Sequence, residues 1–465
     1  MSQIPILSGI GASGADFTTS FPLNLIPVVK ETGIAQGYLR PAEGIVAIAD
    51  AAGANRGGVR WRNEHYRVMG SSFVKVSAGG TITVIGAIAG SNFCTFAESF
   101  DYLAINGGNN VYLYNGTTLT QITDVDLGTS LDIEWANGYF ISTDGRFLAT
   151  SDIGDPFSWN PLRYASSEAS PDPVVALQKI RNEIYALNRY TTEVFGAITN
   201  PGQGFPFGRI EGAQIMKGAT GSRACAVFAQ SLAFLGGGEN EPPAVWLAAG
   251  GEPRKLSTRD IDDALRVYAD AALSDVVLES RIDRDHEFLY VHMPDKTFVY
   301  DGAGSVAAGR PIWFVLQSAT GGYRARGFVW AYNRWNVADP VGTQIGYLSN
   351  DIGSHYGVPV VWQFSTPVIY NASRGAIIHE LELVALTGDI AIGDDPLISA
   401  EYSHDGKTWS QPKYVRAGKR GERAKRLVWD RQGIFRNWRT YRFSGDSRAH
   451  LAFARLEAQM EPLSV

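Results

Sequence analysis

The chain has 465 residues, 45% of them hydrophobic, enough apolar material for one large body plus a smaller one, which excludes disorder as a description of the whole. Charged residues make up only 19%, while glycine (51 residues) and aromatics (11%) are plentiful, a balance that suits short strands and tight turns better than helices. A formal charge of −6 excludes a uniformly basic nucleic-acid coat protein. Cys94 and Cys225 are too few for a disulfide framework or a four-thiolate metal site and are expected as small buried residues. The opening Met-Ser-Gln-Ile-Pro-Ile-Leu lacks the basic and long apolar regions of a signal peptide, and Ile82–Ala89 is far shorter than the ~18 residues of a membrane span. Synthesis in a reducing cytoplasm is the expectation.

In chain order, residues 1–58, with Pro5, Pro22, Pro27 and Pro41, read as an extended N-terminal arm held by a neighbouring domain or subunit. From 59 to 355 an apolar run, a Gly, Asn or Asp turn and a second run recur. The recurrences start at His65, Asp101, Gly138, Asn182, Ser231, Glu287 and, less clearly, Gln344, at gaps that grow from 36 to 57 residues. Such spacing fits an all-β, propeller-like body of six or seven blades with loop insertions. Asn115-Gly116 and Asp144-Gly145 supply hairpin turns. One segment breaks the pattern: over residues 257–280 Ile261, Leu265, Tyr268 and Leu273 fall at helical spacing, with Ser257 or Thr258 placed to cap, so one inserted helix is expected. Residues 356–465 carry strand-like runs compatible with a β-sandwich.

The motifs with chemical potential have stronger structural readings. Gly9-Ile-Gly-Ala-Ser-Gly14 spells a dinucleotide fingerprint, but no helical period follows to meet a pyrophosphate. Ser403-His-Asp-Gly-Lys-Thr-Trp409 is one residue short of the Asp-box of sialidase-type propellers, and even an intact box stabilises a hairpin. His286 and His292 share one face of one strand and read as satisfied strand residues rather than a metal pair. Nothing in the sequence earns a catalytic, cofactor-binding or metal role.

Charge is unevenly spread. Between Lys413 and Arg448 stand twelve basic residues against Glu422, Asp430 and Asp446, a local +9 that leaves −15 on the rest. Lys413, Arg416, Lys419, Arg420, Arg423, Lys425, Arg426, Arg431, Arg436 and Arg439 form the candidate surface for an acidic partner protein or for passing DNA, with Arg442 and Arg448 beyond them. The alternative is a solvated face with strand-to-strand ion pairs.

A set of collinear stretches points further. These are Phe21-Pro-Leu-Asn-Leu, Gly37-Tyr-Leu-Arg-Pro-Ala-Glu-Gly-Ile, Asn55-Arg-Gly-Gly-Val and His65-Tyr-Arg-Val-Met-Gly, then Ser170-Pro-Asp-Pro-Val-Val-Ala-Leu and Met216-Lys-Gly-Ala-Thr-Gly. The longest is His286-Glu-Phe-Leu-Tyr-Val-His-Met-Pro-Asp-Lys-Thr-Phe-Val-Tyr-Asp301. In order and spacing, from about residue 5 to 460, the chain resembles the packaged-DNA stabilisation proteins of short-tailed phages, the tail hub or nozzle subunits. The resemblance implies a structural virion-tail protein without cofactors. It implies a hexameric ring beneath the portal and its adaptor, retaining packaged DNA, carrying a tail needle and tailspikes or fibres, and passing double-stranded DNA through its lumen. Two readings compete: a propeller glycan hydrolase or glycan-binding protein of sialidase or depolymerase type, and a propeller scaffold of cellular complexes.

Overall fold

The computed structural model describes residues 2–29, 37–199, 202, 204–249, 252–319, 321–371 and 374–463. Seven antiparallel sheets follow one another as blades. Their first strands are Asn55–Trp61, Thr95–Glu98, Asp132–Ala136, Val174–Ile180, the interrupted pair Gly218–Ala219 and Cys225–Phe228, Val277–Asp283 and Arg326–Ala331. Each first strand touches the next, and the seventh touches the first, so the blades close a ring. The second strands, Glu64–Met69, Leu103–Asn106, Tyr139–Thr143, Glu183–Asn188, Ser231–Gly237 and His286–His292, are buried almost throughout, because each blade is covered on both faces by its neighbours. These are the recurrent runs of the sequence. In blade seven the second strand is Arg334–Ala338, and the run at Gln344 is the third.

The turns follow their chemistry. Asn115 Oδ1 accepts from the Thr117 and Thr118 amides, and Asp144 Oδ1 from those of Arg146 and Phe147. Gly116 (φ 100°) and Gly145 (φ 99°) occupy the left-handed positions these turns require.

Blade seven takes its outermost strand from the other end of the chain: Gly44–Asp50 pairs antiparallel with Gln344–Ser349. Just before it, Leu25–Val29 and Gly37–Pro41 pair with each other, and Phe453 continues their sheet into the sandwich. Ser2–Ile4 joins the same sheet through Leu456–Ala458. The first 58 residues therefore supply strands to both bodies rather than running only as an arm. The hairpin Gly9–Ser13 with Asp16–Ser20 crosses between them, packing Gly9 on Ser365 while Thr19 Oγ1 donates to Asp260 (2.8 Å).

The sandwich stacks that first sheet, completed by Phe453–Pro462, Ala376–Ala385 and Leu427–Phe435, on a second of Val361–Ser365, Trp438–Asp446, Leu397–Ser403 and Lys413–Arg416. Its core holds Trp362, Phe364, Trp429, Phe443 and Phe453, with the Trp362 and Phe453 rings 4.8 Å apart. The segment 257–280, expected as one helix, forms two short ones, Arg259–Leu265 and Asp270–Ser274, and then enters blade six. Ile261, Leu265 and Leu273 are buried as the spacing predicts, but Thr258 makes no side-chain cap. A further helix, Gly302–Ala308, starts at Asp301, which accepts from the Gly304 amide, and ends at Gly309 (φ 63°). The Asp cap before and the Gly after this helix are start and stop signals carried by the sequence itself.

The closure yields a first prediction. A Cβ at Gly346 would run into the Val46 carbonyl and press on Ile45 and Tyr356. Gly346→Val should cost about 2 kcal/mol and lower the thermal midpoint, whereas Gly79→Val, with open space around it, should change little. Equal melting of the two variants by calorimetry would contradict the pairing.

His355 gives the second. It is buried between the bodies, with Nδ1 2.8 Å from Ser318 Oγ, and burial pulls its pKa from 6.5 down to about 4. The unfolded chain therefore takes up the proton first, so stability is full above about pH 6.5 and falls as pH drops towards 4. At pH 5 the loss should be roughly 2 kcal/mol. The midpoint difference between pH 7 and pH 5 should shrink in His355→Asn; an unchanged difference would contradict this assignment.

Candidate assembly surface

The sandwich disperses the basic run. Loop 417–426 is held by Gly418 and Gly421, both at positive φ, by the Gly421 amide donating to Gly388 O (2.9 Å) and by Thr387 Oγ1 donating to Glu422 O (3.0 Å). On it Lys419, Arg420, Arg423 and Lys425 are exposed, and among the described residues none of their side chains has a carboxylate partner. Their neighbours are engaged. Arg426 grips Glu382 (2.6 Å) and Glu380 (3.0 Å), Arg416 meets Asp395 (2.7 Å), and Lys413 Nζ donates to Arg431 O (2.8 Å). Arg442 and Arg448 pair with Glu401 and Asp446.

Arg431 and Arg436 are exposed but lie along and beyond the strand Leu427–Phe435. A nine-residue strand spans about 30 Å, so Arg436 stands at the opposite end of the sandwich from Lys425. Arg439 is not on the surface at all. It is 1% exposed, donates to Gln432 O and Ile434 O (2.7 Å each) and lies 4.2 Å over the Tyr402 ring. Arg439 therefore does not belong to the candidate contact surface. Alternation explains it: Arg439 shares strand parity with Tyr441 and Phe443, both in the core.

The remaining motifs do local work. Ser403 Oγ accepts from the Asp405 and Gly406 amides, and Asp405 accepts from those of Lys407 and Thr408, which holds its carboxyl below the usual range. His286 meets Asp301 (2.6 Å), and His292 lies between Thr297 (3.0 Å) and Glu279 (3.1 Å). Gly9–Ser13 is a hairpin strand, and both cysteines are buried free thiols. Asp132 and Glu134 share a strand face in blade three, and burial, then the Asp132 charge, push the Glu134 carboxyl up to about 8. Such a pair would suit acid–base chemistry if it faced a substrate. Instead Asp132 accepts from the Leu177 amide (2.8 Å) and Glu134 from Gln178 Nε2 (3.2 Å), so both tie blade three to blade four.

A second surface escaped the sequence reading. The outer side of blade three holds a cleft of about 350 Å³ lined by Asp126, Leu127, Asp144, Phe147, Asn160 and Tyr164, among others. Around it Val125 (87% exposed), Leu162 (69%) and Tyr164 (52%) stand in solvent. Asp126 and Asp144, both exposed, stand on its rim. Exposed apolar side chains are normal singly, and a concentration with an acidic rim marks a contact surface.

Two family models match in order, that described as bacteriophage P22 Gp10, beta-propeller, over residues 2–353 and that described as bacteriophage P22 Gp10, beta-sandwich, over residues 361–461. The chain belongs to the phage P22 Gp10 family. A curated relative, the tail hub protein gp10 of Salmonella phage P22, is 26% identical over 462 residues, covering 94% of each chain. Membership makes this chain a structural protein of the virion tail, of the tail-hub kind, and not an enzyme. Three solved structures resemble the chain at TM-scores near 0.4. PorZ of Porphyromonas gingivalis, a surface component of the type-IX secretion system, is 11% identical at TM-score 0.39, with 80% of this chain spanning 46% of that one. The Cps50 (Swd1) β-propeller domain of Myceliophteria thermophila is 11% identical at 0.40, over 66% and 99% of the two chains. The Pan2 WD40 domain of Neurospora crassa is 11% identical at 0.42, over 66% and 95%.

Within this Gp10-type sandwich the two classes of arginine should separate in stability measurements. Arg439→Ala leaves two carbonyls unsatisfied and should cost about 3 kcal/mol, whereas Arg420→Ala should stay within about 0.5 kcal/mol of the parent. Chemical denaturation of the two variants checks this, and a stable Arg439→Ala would return that residue to the surface.

Proposed function

We propose that the chain is one subunit of a hexameric ring that forms the hub or nozzle of a short phage tail, seated beneath the portal and its adaptor. In that position the ring retains packaged DNA, carries the tail needle and the tailspikes or fibres, and gives double-stranded DNA its exit channel. The observation that carries this reading is the match to both Gp10 domains in order, joined to the relationship with a tail hub protein along 94% of the chain. Physical features support it. A ring subunit must hold its shape against its neighbours, and a closed propeller with no free edge in its closure meets that need. The charge of −15 outside residues 413–448 also favours a channel along which a polyanion slides rather than adheres.

Native mass spectrometry of the purified protein, alone and with a portal–adaptor complex, tests the proposal. Six copies should arrive on the complex. A chain that stays monomeric and indifferent to that complex would overturn the reading.

A further inference from the structure

The tail-hub reading requires that copies meet around a ring, and a head-to-tail ring needs two different, mutually complementary patches on opposite flanks of one subunit. The structure offers one pair. The first patch is loop 417–426, where Lys419, Arg420, Arg423 and Lys425 are exposed without carboxylate partners among the described residues. Beside it the exposed side chains of Leu386 (74%) and Ile392 flank the Thr387–Glu422 and Gly388–Gly421 hydrogen bonds that hold the loop. The second patch is the acidic, apolar outer side of blade three.

Their placement follows from the topology. The sandwich is fastened at blades six and seven. Leu23 bridges Val315 and Gln363, Asn24 Nδ2 donates to both Gln317 O and Val361 O, and His450 Nε2 lies 2.9 Å from Asn350 O. In a ring of seven, blade three is three blades away from both six and seven, the far side of the propeller. The loop leads into Leu427–Phe435, at the sheet edge opposite Leu25–Val29, and presents its cations beside two aliphatic side chains, while blade three presents Asp126 and Asp144 beside Leu162 and Tyr164.

We propose that the loop 417–426 of one copy docks against the blade-three cleft of the next, its cations facing Asp126 and Asp144 and its aliphatic neighbours covering Leu162 and Tyr164. This rests on the ring reading above. It commits the basic loop to a second copy of this chain rather than to DNA, and it gives Lys419, Arg420, Arg423 and Lys425 the carboxylates they lack among the described residues.

Arg423→Glu and Asp126→Arg test it, because both side chains are exposed and neither holds a turn. Unchanged melting will confirm that each variant folds. With a portal–adaptor complex, wild type should give six copies. Each single variant should weaken recruitment of further copies at least about tenfold. The double variant, which swaps the charges, should recover ring formation. In addition, Leu162→Cys with Leu386→Cys, treated with a mild thiol oxidant on the complex, should give disulfide-linked copies, since Cys94 and Cys225 are buried. If wild type forms the ring and both single variants do so equally well, the docking inference fails while the ring stands. If Arg423→Glu abolishes binding of even the first copy and Asp126→Arg has no effect, the loop belongs to the adaptor, and the inference again fails. If wild type forms no ring, the hub reading falls first.

Discussion

Everything in this molecule depends on one pairing between distant parts of the chain, the strand Gly44–Asp50 against Gln344–Ser349. A propeller is a linear series of blades bent into a circle, and the two ends must be fastened or the ring opens. Here the fastening strand follows directly from the strand Gly37–Pro41, which belongs to the sandwich. The short link is pinned on both sides: Glu43 forms a buried ion pair with Arg281 of blade six, and Arg40 reaches Asn350 (2.8 Å) and Asp283 (3.5 Å). Breaking a buried pair strands a charge at a cost of about 3–5 kcal/mol, so closure of the propeller and seating of the sandwich are energetically joined. The two bodies thus present their outer surfaces in a fixed relation.

Polar groups inside the propeller serve the same end. One guanidinium, Arg56, donates to five backbone carbonyls, of Gly70, Ile88, Ala89, Asn92 and Gly107, and so ties the first two blades together. Arg67 does likewise for blades one and seven through Gly327 O and Asn336 O. Buried ionisable groups are often a sign of chemistry, and in a propeller with aromatic walls they invite a glycosidase reading. In this chain their hydrogen bonds are spent on neighbouring strands. A blade-to-blade contact secured by satisfied polar bonds has one register, whereas apolar contacts alone would tolerate sliding.

The sequence was most legible where structure is local. The buried second strands recur because each is enclosed on both faces, and the Asn-Gly and Asp-Gly turns carry their own geometry. It was least legible where a strand's partner lies far away. Nothing in Leu25-Ile-Pro-Val-Val29 announces a sheet shared with Phe453, and Pro27 argues for an arm until one sees that this strand is at the sheet's edge, where a missing amide is tolerated. The basic run was visible as charge but not as place. Strand parity would have removed Arg439, while the separation of Arg436 from Lys425 required the strand between them. The blade-three surface had no sequence signal, because exposed Leu162 and Tyr164 look like any strand's apolar residues until their exposure is known.

The charge that remains after internal pairing is the part free to act between molecules. Every sandwich cation with a carboxylate in reach has taken it, as Arg416, Arg426, Arg442 and Arg448 do. The densest group left without one among the described residues, Lys419, Arg420, Arg423 and Lys425, sits on a loop with glycines at positive φ at residues 418 and 421. At physiological ionic strength such charges act over about 8 Å, so they hardly influence a subunit at a distance and matter only at contact. Two free subunits, each with a net charge of −6, gain nothing from approaching at random. Attraction arises only when the unlike patches meet face to face, and a template that holds the first subunit in place raises the frequency of that meeting. A chain built this way can remain dispersed until the structure it completes is ready for it.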